Sequence, residues 1–75
     1  MERAGDVVRT AGNVAVVRSD GSDHPDIGTP VVDESLDSVG RVVDVFGPVE
    51  RPYLAVSPDD DVHLPRLVGE TLYVR

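Results

Sequence analysis

The chain has 75 residues, 14 of them acidic and 7 basic, for a formal net charge of -7; this length holds one small domain, residues 1–75, and no second. It contains no cysteine, and every base is an arginine, which excludes a disulfide framework, thiol chemistry and Cys-ligated metal, and points to the cytoplasm. No stretch approaches the roughly 20 apolar residues of a membrane span, and Met1-Glu2-Arg3-Ala4-Gly5-Asp6 lacks signal-peptide character, so no membrane association is expected.

Valine supplies 16 residues, and its β-branch suits pleated strands better than helices. Gly and Pro interrupt the chain so often that the longest free run is Val31 to Val39, too short for an ordinary three-turn helix. Two strands are predicted at Asp6 to Thr10 and Asn13 to Arg18, joined across Ala11-Gly12 as a hairpin. Residues 19–30, rich in turn formers and acids, read as a loop. Further strands are predicted at Val31-Val32, Val39 to Phe46, Tyr53 to Ser57 and Glu70 to Arg75, with Pro58 to Asp61 as another exposed loop. Six short strands imply an all-β fold, a small closed barrel in which no edge is left open.

Two features of the strands bear on function. Strict alternation in Val39 to Phe46 puts Val42 and Phe46 on one face and Val43 and Val45 on the other, although one face alone can line a barrel. Either a β-bulge resets the register or some of these side chains meet a partner. Tyr53 and Tyr73 fall on the face opposite Leu54 and Val56, and opposite Leu72 and Val74, so both are outward interface anchors in this reading, set against ordinary partial burial at the rim.

The run from Gly40 to Val56 fits the pattern G-x-V-x-D-x-F-G-P-V-x-x-P-Y-x-x-V, preceded by Val31-Val32-Asp33 with Leu36 and followed by Gly69-Glu70-Thr71-Leu72-Tyr73-Val74. On these residues the chain resembles the Gar-type core subunit of H/ACA ribonucleoproteins over nearly its whole length. The resemblance implies a six-stranded barrel similar to those of translation factors, without catalytic activity or cofactor. It further implies docking on the catalytic subunit of an RNA-guided pseudouridine synthase, away from the guide RNA, which would aid substrate loading and product release. The docking residues it implies are Phe46, Gly47, Pro48, Val49, Pro52, Tyr53 and Tyr73. Two prolines and a glycine fix such a turn in advance, so little entropy is lost on docking; the bland reading is a simple strand connection.

Departures from the family pattern also inform the reading. No Arg-Gly-Gly repeats are present, lysine is absent and aspartate is in excess, a composition similar to proteins of halophilic archaea. With acids outnumbering bases twofold and only three aromatics, the isolated monomer is expected to bind RNA weakly. Asp59-Asp60-Asp61 lacks the spaced ligands of a calcium loop, and His24 and His63 have no partner at metal-ligand spacing, so no metal site is expected. No nucleophile or phosphate-loop motif occurs. One rival remains at the level of sequence: Val31-Val32-Asp33 with Val39 to Asp44 is also similar to the opening strands of PRC-type barrel adaptors, although that likeness leaves F-G-P-V-x-x-P-Y unaccounted for.

Overall fold

The valine runs become six antiparallel strands in the computed structural model, which describes residues 2–75. They are β1 (Glu2–Ala11), β2 (Val14–Arg18), β3 (Pro30–Val32), β4 (Ser38–Phe46), β5 (Tyr53–Pro58) and β6 (Thr71–Val74). The sheet closes in the order β1-β2-β5-β4-β3-β6, so the expected all-β barrel is the observed one. Closure rests on the pairing of Val32 with Tyr73 between β3 and β6. Inside, Val7, Ala15, Val17, Val31, Val39, Val42, Leu54, Val56 and Leu72 form one core. These are mostly short β-branched side chains, which fill a narrow barrel without losing much rotamer freedom.

Strand β1 starts at Glu2 rather than at Asp6 as the sequence suggests, because Gly5 is not a break. Its φ is 144°, and a Cβ added there would stand 2.1 Å from the carbonyl oxygen of Arg18. Glycine thus lets β1 pass against the neighbouring backbone. Register shifts between Arg3 and Gly5 and between Val7 and Arg9 bend the strand twice, so that its first half pairs with β6 and its second with β2. The hairpin turn is Gly12-Asn13, one residue later than expected, since Ala11 pairs with Val14. Gly12 takes the positive φ, 57°, that a Gly-first two-residue turn needs.

A short 3-10 turn, Leu64–Leu67, follows the acidic loop. Pro65 fits its start, where no backbone donor is required. The turn buries Leu67 against the core, with Val62 and Leu64 packed beside it. The V-V-D piece ends in a local turn in which the Asp33 carboxylate accepts from the N–H groups of Ser35 and Asp37, leaving Leu36 at φ 68° and exposed.

The ambiguity in β4 resolves as a bulge. Val42 pairs with Val56, but Asp44 pairs with Ala55, Val45 with Leu54 and Phe46 with Tyr53, so Val43 is the extra residue. Val42 and Val45 therefore turn inward together, while Val43 and Phe46 are exposed. Strict alternation groups Val42 with Phe46 and Val43 with Val45, and the inserted residue is what breaks that grouping.

Candidate protein-docking site

The β4–β5 connection is a corner built from four local constraints. Pro48 accepts a hydrogen bond from the Arg51 N–H at 3.2 Å, closing a turn with Val49 and Glu50 at its tip. Gly47 takes φ 89°, and a Cβ there would lie 2.9 Å from Cδ2 of Tyr53, so the bare backbone at Gly47 is the seat of the tyrosine ring. Phe46 stacks on that ring from the adjacent strand, with centroids 5.7 Å apart and planes 23° from parallel. At the far end, Ser19 ties the corner to β2.

Ser19 is completely buried. Its hydroxyl donates to the Pro52 carbonyl at 2.6 Å and lies 3.0 Å from the Gly21 carbonyl, and its backbone N–H donates to Pro52 at 3.1 Å. The Arg51 guanidinium returns a bond, Nε to the Ser19 carbonyl at 2.8 Å. Both ends of the corner are thus held by contacts within the chain itself. Sequence reading misses Ser19 and Arg51, because a serine in a turn-rich loop carries no sign of a contact 33 residues away in the chain.

The predicted residues divide by position. Val49 is 85% exposed and Phe46 39% exposed, so both can be covered by a partner. Tyr53 faces outward as expected but is half-buried, since Phe46 and Gly47 flank it. Pro52 is buried, and it shapes the corner more than it presents surface. Tyr73 stands apart: β6 lies between β3 and β1, three strands round the barrel from β5, and Tyr73 pairs with Arg3 and Val32. Phe46 to Tyr53 form one patch, which does not include Tyr73.

Beside the patch runs a cleft of about 270 Å³, walled on one side by Val45 to Val49 with Pro52 and on the other by Ser22 and His24 of the β2–β3 loop. Its lining is mainly aliphatic and aromatic, suited to one apolar side chain of a partner. Among the described residues, no group of three or more His, Asp or Glu side chains is placed to hold a metal ion. Among the same residues, no helix is long and apolar enough to cross a membrane.

Comparison with known proteins adds to this geometry. Residues 1–75 match a family model described as the Gar1/Naf1 RNA binding region. An uncharacterized protein of Methanothermobacter thermautotrophicus is 36% identical over 62 residues, which cover 79% of this chain and 65% of that relative. The family match spans the motif and both flanking pieces, and the PRC-type alternative is not favoured.

Proposed function

The chain belongs to the Gar1/Naf1 family of non-catalytic H/ACA ribonucleoprotein components, and from that premise we propose that it is a protein-docking subunit of an RNA-guided pseudouridine synthase complex. In this reading the corner from Phe46 to Tyr53 seats on the catalytic domain of the synthase and aids substrate loading and product release during rRNA modification in the cytoplasm. One observation carries it: the stacked Phe46–Tyr53 pair and the Val49 tip are offered to solvent by a corner already fixed by Ser19. A surface rigid before binding loses little entropy on docking.

The family description attaches this region to RNA. In the proposed arrangement RNA is reached through the assembled complex, because an isolated chain of net charge -7 repels phosphate. Gel shifts of the isolated chain with guide and substrate RNAs should therefore give no complex at micromolar protein, whereas co-purification with the synthase should succeed. Truncating a buried aromatic anchor commonly costs about 2 kcal/mol or more, so Tyr53→Ala and Val49→Asp should each greatly weaken co-purification while leaving the barrel folded. Asp60→Asn, in the acidic loop, should leave it unchanged. Folded variants that still bind like the parent would place the interface elsewhere.

A further inference from the structure

The outer wall of β1, β2, β5 and β4 carries a charge pattern that the docking reading does not use. Val7, Val17, Leu54 and Val45 lie in register and point into the core, as do Ala15, Val56 and Val42. The residues between them lie on the outer side of the sheet, where Val16 and Ala55 are nonetheless buried. They form a row Asp6–Arg18–Tyr53–Phe46, a second row Arg9–Val16–Ala55–Asp44, and Arg41 beside Ser57 beyond these. Three arginines thus share one wall with the aromatic pair.

These arginines are exposed, and among the described residues none has a carboxylate within 4.0 Å; the ion pairs observed, to Asp6 and Asp20, both belong to Arg3. This is unusual company for a chain with twice as many acids as bases. The reason is positional. All the carboxylates except Glu2, Asp6 and Asp44 sit in the connections between strands. Asp6 is engaged by Arg3 and by the Thr71 hydroxyl, and Asp44 accepts from the Val45 N–H. The wall is left with three guanidinium groups against the one exposed carboxylate of Asp44, beside the aromatic pair and bordered by acidic loops.

We infer that this wall receives an acidic protein surface: an apolar knob that enters beside Phe46 and Tyr53, ringed by Asp and Glu carboxylates that pair with Arg9, Arg18 and Arg41. The inference rests on the docking reading of the same site and specifies the partner's chemistry. Guanidinium groups suit such a contact, because the planar fork meets a carboxylate with two parallel bonds and sheds its hydration more readily than an ammonium does. Two observations favour a protein over a nucleic-acid strand. The rings of Phe46 and Tyr53 are stacked on each other, so they are engaged together and do not form two separate platforms for successive bases. A continuous run of phosphates crossing the wall would also meet the acidic loops at its borders, whereas carboxylates set on a folded surface need face the arginines alone.

The test titrates the purified synthase catalytic subunit with the parent chain, with an Arg18→Gln/Arg41→Gln double variant, with Tyr53→Ala, and with Arg66→Gln outside the wall. Titrations run from about 0.1 to 1 M potassium chloride, over which the Debye length falls from about 10 to 3 Å, and circular dichroism verifies the fold at each salt. The double variant should bind about tenfold or more weakly at the lowest salt, with a flatter salt dependence, while Arg66→Gln should stay within about twofold of the parent. If the double variant binds like the parent with the same salt slope while Tyr53→Ala is impaired, the acidic-partner inference is wrong and the docking reading stands. If Tyr53→Ala also binds like the parent, the docking reading fails and takes the inference with it. A gel shift of the parent chain with guide RNA that the double variant lacks, with synthase binding intact in both, would make the wall a nucleic-acid surface and overturn the inference.

Discussion

Replacing Gly47 by alanine probes the corner most directly. The substitution meets two obstacles, the positive φ of 89° and a Cβ placed 2.9 Å from the Tyr53 ring. Gly12 isolates the first, because its φ is 57° and an added Cβ there has nothing within 4 Å. Left-handed backbone costs a non-glycine residue about 1–2 kcal/mol, offset by about 0.4–1 kcal/mol from stiffening the unfolded chain, so Gly12→Ala should cost about 1 kcal/mol or less. Gly47→Ala adds displacement of a packed ring and should cost about 2 kcal/mol. For a domain of this size about 1 kcal/mol moves Tm by roughly 4–8 °C. The Gly47 variant should therefore melt roughly 8–16 °C below the parent, and the Gly12 variant by half of that or less. Far-UV circular dichroism melts at fixed salt measure both, and near-UV ellipticity of the tyrosines reports whether the ring has moved. The synthase-binding titration should be weakened by Gly47→Ala alone. Equal melting points with an unchanged near-UV spectrum would refute the claim that Gly47 seats the ring.

Two further outcomes are expected. Because the carboxylates crowd into the loops, stability should rise from about 0.1 to 1 M potassium chloride as their repulsion is screened; a midpoint that falls with salt would refute that account and with it the halophile-like reading of the composition. Gly40→Ala places a Cβ 1.9 Å from the Ser57 carbonyl oxygen, within the β4–β5 ladder where neither backbone can step aside. It should cost about 3 kcal/mol, read as a lower urea midpoint with an unchanged slope, and a loss below about 1 kcal/mol would show that the two strands can part locally.

The strands were legible in the sequence because valine and its Gly and Pro interruptions operate locally. Gly5 misled for the same reason. A glycine that punctuates and a glycine that admits a neighbouring backbone look alike until the Arg18 carbonyl is in place. The short 3-10 turn at Leu64–Leu67 was hidden because one turn has no periodicity to read. The Gly-Pro corner was legible as a fixed turn, since its residue types set their own conformation. What clamps it was not: Ser19 meets Pro52 only once β2 and β5 are paired. The arginine wall is equally a product of register. Arg9, Arg18 and Arg41 lie far apart in the chain, and only the ladders, shifted by two bulges, set them on one face with Phe46 and Tyr53. Tyr73 is grouped with the corner by the family resemblance, and strand order separates the two in space.

The bulge at Val43 also decides how this molecule can vary. If Val43 were removed, Val42 would still pair with Val56 and Asp44 with Ala55, so every other side chain of β4 would keep its present side of the wall. What would change is curvature, since the extra residue adds local twist to its strand. The aim of the Phe46 corner is thus adjustable by a single codon gained or lost, without any exchange between interior and exterior. Orientation and composition are separate variables in this barrel, and a binding surface can be re-pointed while its chemistry is conserved.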